Sequence, residues 1–388
     1  MRNYIIKRKL SGLHSKNVAY EYAYRQTRNF CWRTTTITAI SYHIKWMALA
    51  LFIILLAGCG NPDSDSSQSE TEENSESDSF QNEAVDNYGQ LKDAWDGNYY
   101  INSIGERMNF GISTEEVYVN ISGLEKEYTF LWLSDLHIIT ECDEIAVEDQ
   151  ETVTSRRESF KNTVGMYSDE FWLQLSKALD AWSADAIFFG GDMIDHAANA
   201  NIACLKEGLD KLETPYLYVR ADHDYAPYYC AVKDEAAVAG LQAEIDGYEE
   251  ITLIEFEDLC LVGINDSTRP ITVAALQEMK DICAKGKPII LVTHVPLNSL
   301  CDTSLEEESK AVWDGRALVW GANCAYTPDG TTQEFMDLIY AEDSPVKEVL
   351  AGHLHFTWDG QLTENTREHV FSSAYLGNIG VVRVGDYR

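Results

Sequence analysis

Five short sequence blocks, each placed directly after an apolar run, constrain what this chain can fold into. In chain order the blocks read Asp135-Leu136-His137, Gly191-Asp192-Met193-Ile194-Asp195, Asp222-His223-Asp224, Thr293-His294 and Gly352-His353-Leu354-His355. Short apolar runs of this kind are typical of buried strands in an α/β sheet. Because ligand-binding residues of open α/β sheets gather at the carboxyl ends of the strands, we expect these distant side chains to converge on one edge.

Helical patterns separate the apolar runs, so residues 91–388 are predicted to form one α/β domain. Apolar residues recur at helical spacing over Ser168–Ser183, Ala197–Leu212 and Val273–Ala284. Two longer connections interrupt the alternation. Ile138–Tyr167 is a polar insertion, and Pro296–Asp329 is predicted to form a lid.

The blocks consist of carboxylate and imidazole residues, which are metal-ligand types. Carboxylate oxygens suit hard divalent ions, and imidazole adds affinity for Mn, Fe, Co, Ni or Zn. Such side chains from five segments suit two divalent cations that share a carboxylate, an arrangement that hydrolyses phosphate esters.

In this order the blocks resemble those of the calcineurin-like metallophosphoesterase family, over residues 128–358. That resemblance implies a four-layer α/β/β/α sandwich and a dinuclear centre whose metal-bridging hydroxide attacks a phosphate monoester or diester. It implies a first metal held by Asp135, His137, Asp192 and His355. It implies a second metal held by Asp192, Asp222, His294 and His353, with Asp192 as the bridge.

The resemblance also gives His223 and Asp195 a catalytic part. His223 would lie near the leaving-group or phosphate oxygen without binding metal, and Asp195 would orient it and favour its charged form. Asp224 has a second interpretation, in which it only stabilises the turn through backbone hydrogen bonds.

Two departures from the family pattern, and one difference from its purple acid phosphatase branch, bear on the chemistry. Asp222 stands where the family has asparagine, so the second metal should bind more tightly and be a weaker Lewis acid. His196 stands where the phosphatase branch often has an arginine that binds phosphate. Asp195 stands where purple acid phosphatases need a tyrosine, which argues against an iron–tyrosinate site.

Candidate substrate contacts come from the loops between the blocks. His196 follows the second block, Arg156 lies in the polar insertion, and Tyr225 follows the third block near the expected cleft. For Arg156 a solvated helix face, and for Tyr225 simple packing, are the alternative interpretations.

Charge is distributed unevenly along the chain. Residues 1–58 contain nine of the 30 basic residues and one of the 63 acidic residues, which leaves a net charge of −41 on residues 59–388. A surface this acidic repels polyanions, so a nucleic acid polymer is an unfavourable partner and a small or medium phosphoester is favoured.

The first 58 residues read as a leader with a lipoprotein signal peptide. The apolar stretch from Trp46 to Ala57 is short for a membrane span and ends in Leu56-Ala57-Gly58-Cys59, which resembles a bacterial lipobox. Residues 59–90 are rich in Ser, Asp and Glu, as is typical of a disordered tether. We therefore expect export and a lipid anchor on Cys59 at the outer face of the cell membrane.

Export would permit disulfides, and Cys301 and Cys324 lie in one loop-like segment where they could pair. Cys204 and Cys283 fall in helical patterns and are predicted to be core residues.

Two further functions stay open at the level of sequence. The chain could be a catalytically weak surface lipoprotein that uses the same fold as a binding or scaffold module, with Asp222 as the feature that favours it. A nuclease is the third candidate, and the acidic charge argues against it.

Overall fold

The computed structural model describes residues 111–141, 145–226, 229, 235–245, 249–266 and 270–387, together with short strands at 5–6, 99–101 and 107–109. Cys59 and residues 59–90 lie outside the described residues, as does the 1–58 leader apart from the strand at 5–6. Their predicted roles therefore stay predictions. Within the described part of the chain, no helix has both the length and the apolar character needed to cross a bilayer.

The strands of the described residues form two large sheets and one hairpin. In chain order they are β1 (Ile5–Ile6), β2 (Tyr99–Ile101), β3 (Arg107–Asn109), β4 (Ser113–Asn120), β5 (Tyr128–Leu133), β6 (Ala186–Gly190), β7 (Tyr216–Val219), β8 (Ile251–Glu255), β9 (Cys260–Ile264), β10 (Ile289–Val292), β11 (Val346–Ala351), β12 (Trp358–Gln361), β13 (Arg367–Val370) and β14 (Asn378–Gly385).

Most helices lie in the connections between these strands. They are α1 (Gln150–Ser159), α2 (Ser168–Leu175), α3 (Asn199–Leu209), α4 (Asp222–Tyr225), α5 (Glu235–Gln242), α6 (Val273–Cys283), α7 (Ser304–Val312) and α8 (Gly330–Tyr340). Short 3-10 turns occur at Val147–Asp149, Leu179–Trp182 and Ala374–Leu376.

The first sheet has five strands in the order β4-β14-β5-β6-β7. Strands β5, β6 and β7 run parallel, while β14 pairs antiparallel with β5 and parallel with β4. The second sheet has the order β1-β8-β9-β10-β11-β13-β12, and its strands from β9 to β13 in that order run parallel. The two-residue strand β1 joins the edge of this sheet by pairing antiparallel with β8.

The two sheets pack face to face, because alternate side chains of each strand point into a shared core. Phe130 and Trp132 of β5 pack in that core with Ile290 and Val292 of β10. The intervening residue Leu131 points the other way.

Helices cover the outer face of each sheet. On the first sheet, Phe171 and Trp172 of α2 and Leu205 of α3 form a core with the outward residues of the strands. On the second, α6 and α8 pack through Met279 and Phe335. The result is helix, sheet, sheet, helix, and it confirms the four-layer α/β/β/α prediction.

The sandwich places all five sequence blocks at the carboxyl ends of parallel strands. Asp135 lies two residues after β5, and Asp192 lies two residues after β6. Asp222 follows β7, while His294 and His353 follow β10 and β11 of the other sheet. The blocks therefore occupy one end of each sheet.

Local structure departs from the sequence predictions in three places. The helix predicted over Ser168–Ser183 ends at Leu175 and is followed by the 3-10 turn. The polar insertion contains helix α1. The pairing that the sequence allowed between Cys301 and Cys324 is not formed: both thiols are free, Cys301 is exposed before α7, and Cys324 packs against the core cluster that contains Leu305 of α7. Cys204 is buried in α3 as predicted, while Cys283 of α6 is partly buried.

Candidate metal centre

The backbone at the strand ends is turned so that side chains face one another. Five of the seven predicted metal ligands have left-handed backbone, with φ of 54° at Asp135, 49° at His137, 51° at Asp192, 70° at His353 and 60° at His355. Non-glycine residues rarely adopt this conformation, and it persists only where surrounding structure enforces it. The occurrence of left-handed backbone at five of these residues identifies the site independently of residue type.

One cluster joins Asp135, His137 and His355. The His355 Nε2 atom lies 3.3 Å from Asp135 Oδ1 and 3.3 Å from His137 Nε2. The candidate ligand atoms of these three residues all lie within 4.8 Å of one another. This cluster contains three of the four residues predicted for the first metal.

A second cluster joins Asp192, His294 and His353. Asp192 Oδ2 lies 3.3 Å from His294 Nε2, and His353 Nδ1 lies 3.1 Å from the same nitrogen. The His294 Nδ1 atom lies 2.8 Å from the carbonyl oxygen of Gly190. Donating a proton there leaves Nε2 free as a ligand, the usual arrangement of metal-binding histidines.

Asp192 of the second cluster also lies close to the first cluster. Its Oδ2 is 4.0 Å from His137 Nε2, and it forms a further group with Asp222 and His223. Its Oδ1 is buried and has no hydrogen-bond partner among the described residues. A buried carboxylate oxygen without a donor is costly unless a cation contacts it, so the donors here fit divalent metal ions.

Buried charge accounts for the pKa shifts of the clusters. Burial raises the pKa of Asp222, and the negative charge of Asp192 raises it further. Burial lowers the pKa of His353 to about 3, and the neighbouring His294 adds to this. Burial also lowers the pKa of His294, but Asp192 outweighs it and holds that pKa well above the usual range.

His223 and Asp195 lie beside the clusters, but their contact differs from the predicted pair. The His223 Nδ1 atom lies 2.5 Å from the backbone carbonyl oxygen of Asp195 and 3.7 Å from its carboxylate. The carboxylate instead lies 3.0 Å from His137 Nδ1. Burial lowers the pKa of His223, but the charges of Asp192, Asp222 and Asp195 outweigh it and raise the pKa.

Asp224 stabilises the turn that carries the third block. Its carboxylate accepts the backbone N–H of Ile194 at 3.0 Å and of Ala221 at 2.9 Å. The turn-stabilising interpretation is therefore confirmed.

The predicted substrate contacts receive little support from the geometry. His196 has no exposed surface and packs against Asn201 and Tyr229. Arg156 Nε donates to Asp195 at 2.7 Å, which directs the guanidinium to that carboxylate. Tyr225 is partly exposed, and the Arg220 guanidinium lies 4.2 Å from its ring centre.

Aromatic side chains from distant segments surround the clusters, and sequence analysis did not assign them to the site. The Phe160 ring stacks on His137 with centroids 4.2 Å apart. The Tyr326 hydroxyl lies 3.2 Å from His353 Nε2, and the Trp313 and Tyr375 rings lie 5.7 and 5.8 Å from His355. Tertiary contacts alone identify these residues, because no spacing relates them to the blocks.

Solved structures similar to this chain include a dimetal phosphatase from Danio rerio, at 12% identity and a TM-score of 0.38, covering 64% of this chain and 88% of that one. A purple acid phosphatase from yellow lupin (Lupinus luteus) seeds shows 10% identity and a TM-score of 0.39, with coverage of 72% and 49%. A putative 5'-nucleotidase from Staphylococcus aureus shows 12% identity and a TM-score of 0.29, with coverage of 64% and 49%.

A comparison with curated proteins finds no match. The family model described as calcineurin-like phosphoesterase matches residues 128–356, more than half of the chain, and spans all five blocks. Together with the four-layer fold and the clustered carboxylates and imidazoles, this match establishes that the chain belongs to the calcineurin-like phosphoesterase family.

Proposed function

We propose that this protein hydrolyses a small or medium phosphate monoester or diester at a centre of two divalent cations. One observation carries the proposal: ligand-type side chains from four strand ends form two adjacent clusters, and Asp192 of the second cluster also groups with Asp222 from a fifth strand end. Asp135, His137, Asp192 and His355 would hold one cation. Asp192, Asp222, His294 and His353 would hold the other.

When bound, two such cations polarise the phosphoryl group and activate a water molecule for in-line attack. The chain itself contributes orientation and proton transfer. Asp192 and Asp135 are held below their usual pKa, because nearby imidazoles outweigh burial, and they are charged at neutral pH. The Asp195 carbonyl oxygen fixes the ring of His223, whose raised pKa favours an imidazolium that can donate a proton to the leaving oxygen.

The negative charge of the protein is the reason for proposing a small substrate. The net charge of −41 on residues 59–388 disfavours a long polyanion such as a nucleic acid. A compact phosphoester carries few charges, which the two cations would neutralise locally.

We further propose that the protein is exported and anchored to the outer face of the cell membrane by a lipid on Cys59. The sequence Leu56-Ala57-Gly58-Cys59 after an apolar stretch supports this. Metabolic labelling with a palmitate analogue tests it: a Cys59→Ala variant should lose the label and leave the membrane fraction. Equal labelling of both proteins would refute the anchor.

The hydrolase proposal is tested by metal analysis and a panel of nitrophenyl phosphate esters on one preparation. We expect bound metal and turnover with Mn²⁺. We expect His223→Gln to lower kcat by about 10²- to 10⁴-fold, the usual contribution of a general acid, with unchanged metal content. Full metal loading without turnover on any phosphoester would contradict the proposal.

A binding or scaffold module is the second candidate, and Asp222 is the observation that favours it. A carboxylate at this position adds negative charge beside Asp192 and reduces the Lewis acidity of a cation bound there. Metal binding without catalysis, combined with tight binding to a surface polymer, would favour this candidate.

A further inference from the structure

Arg156 of helix α1 reaches out of the polar insertion to a buried carboxylate. Its Nε donates to Asp195 Oδ2 at 2.7 Å, and its Nη2 donates to Asp195 Oδ1 at 2.5 Å. This is the bidentate fork that makes arginine–carboxylate pairs strong and directional. The Asp195 side chain is fully buried, while that of Arg156 is 32% exposed.

The same carboxylate supports a predicted metal ligand. Asp195 Oδ1 lies 3.0 Å from His137 Nδ1, and the other ring nitrogen of His137 faces His355 Nε2 and Asp192 Oδ2. The Tyr229 hydroxyl also donates to Asp195. Asp195 therefore holds the outer nitrogen of His137 in a defined direction, as carboxylates behind metal-binding histidines do.

The end of helix α1 contacts His137 by a second route. Phe160 follows the last residue of the helix, and its ring stacks on the His137 ring at 4.2 Å with an interplanar angle of 12°. The Arg156 guanidinium carbon lies 5.1 Å from the Phe160 ring centre and 4.6 Å from that of Tyr229. Arg156 thus ties together the two groups that fix the His137 ring from its edge and its face.

We propose that Arg156 is a positioning residue for the first metal half-site, acting through Asp195 on His137. It holds the carboxylate in place so that His137 presents Nε2 to the cation. The inference rests on the proposed two-metal function and goes beyond it, because it gives the insertion a structural part in metal binding in place of the substrate contact expected from sequence.

The experiment is a calorimetric titration of the chelator-treated full chain with Mn²⁺. In Arg156→Gln, we expect one of two binding steps to weaken by about 10- to 100-fold, the usual cost of losing a partner behind a metal ligand. We expect the other step to be unchanged.

Arg157→Gln is the matched control on the same helix. Arg157 donates to the Ile139 carbonyl oxygen at 3.0 Å and pairs with Asp169, away from Asp195. Arg157→Gln removes contacts that hold helix α1 in place but leaves the bidentate Arg156–Asp195 contact intact. We expect both Mn²⁺ binding steps to keep their affinity in this variant. Arg156→Lys keeps the charge but loses the bidentate contact. At the binding step that Arg156→Gln weakens, its Mn²⁺ affinity should therefore lie between those of wild type and Arg156→Gln.

A double-mutant cycle with Asp195→Asn tests whether Arg156 acts on His137 through Asp195. If Arg156 acts through Asp195, the double variant binds Mn²⁺ no more weakly than Asp195→Asn alone. Additive losses, an unchanged Arg156→Gln, or an equal loss in Arg157→Gln would each overturn the inference while leaving the proposed function intact. A wild-type chain that binds no Mn²⁺ would overturn both.

Discussion

At the scale of single residues, the site combines strained backbone with buried charge. Asp135, His137 and Asp192 have positive φ, and each is almost completely buried. Both features cost free energy in the folded chain, so they persist where the surrounding structure and a bound ligand compensate. The residues that cost stability are therefore the residues that we assign to metal binding.

Replacing Asp222 with asparagine should have opposite effects on the stability of the metal-free protein and on metal binding. Burial and the charge of Asp192 raise its pKa, so its charged form destabilises the metal-free protein. In chelator, Asp222→Asn should therefore melt at a higher temperature than wild type. With Mn²⁺ present it should bind the second ion roughly tenfold more weakly, because ligand charge sets affinity. A melting curve with and without chelator checks both signs, and parallel shifts would contradict the prediction.

Glu348 gives a prediction for stability against pH. Burial in β11 raises its pKa from 4.5 to about 8, although Arg367 partly offsets this. Between these values the folded state holds a proton that the unfolded state has released, so stability falls as pH rises through this window. Each pKa unit is worth about 1.4 kcal/mol. Urea unfolding of Glu348→Gln from pH 5 to 8 should therefore show a flatter profile.

The control for this series is Glu364→Gln, which changes an exposed glutamate in the turn before β13. Its profile should follow wild type. A Glu348→Gln profile as steep as wild type would show that other groups carry the pH dependence.

At the scale of elements, two connections complete the site that the strands begin. Helix α1 supplies Arg156 and, just after its last residue, Phe160. The segment between β10 and α8 supplies Trp313, whose Nε1 donates to the Leu354 carbonyl oxygen at 3.1 Å, and Tyr326 beside His353. Strand ends thus provide the candidate ligands, while the longer connections hold the ligands in position.

Substitution by alanine should have opposite effects on unfolding free energy at two helix glycines. A Cβ on Gly208 of α3 would lie 2.3 Å from the buried Trp172 ring, whereas a Cβ on Gly240 of α5 meets nothing within 4 Å among the described residues. Gly208→Ala should lose about 1–3 kcal/mol of unfolding free energy through overpacking. Gly240→Ala should gain about 0.5–1 kcal/mol, since alanine favours helix.

Denaturant unfolding of the two variants beside wild type measures both changes. If both variants gained or both lost unfolding free energy, the prediction that packing decides the effect at Gly208 and helix propensity decides it at Gly240 would be wrong. Metal content serves as a check that neither change reaches the site.

At the scale of the whole molecule, the candidate centre joins the two sheets. Asp135, Asp192 and Asp222 come from strands of the first sheet, while His294 and His353 come from the second. A cation bound by both sets adds a connection that the unfolded chain lacks. Ligand binding to the folded state raises its stability by mass action, by about 2.7 kcal/mol at a hundredfold excess over Kd.

Metal removal should therefore lower the melting temperature of the whole domain. We expect a chelator to lower it by several degrees, Mn²⁺ to restore it, and Mg²⁺ to restore it less, because imidazole ligands favour transition metals. Asp192→Asn removes the shared carboxylate and should abolish most of the Mn²⁺ effect. A melting temperature insensitive to chelator in metal-loaded wild type would contradict a centre that joins the sheets.

The order of apolar runs and blocks predicts an α/β fold and the convergence of Asp135, His137, Asp192, His294 and His355 at the strand ends, while the four layers were implied only by the family resemblance of those blocks. The reason is local: strand periodicity and the residue types that follow each strand are written in consecutive residues, and parallel strands bring their carboxyl ends together.

Tertiary structure alone decided what surrounds those ligands. The family resemblance implied that Asp195 orients His223, and Arg156 was a candidate substrate contact, yet the Asp195 carboxylate contacts Arg156 and His137. The sequence also could not place Phe160 or Tyr326 at the clusters. Such contacts join segments far apart in the chain through side-chain packing, and no local pattern encodes which long side chain reaches which buried charge.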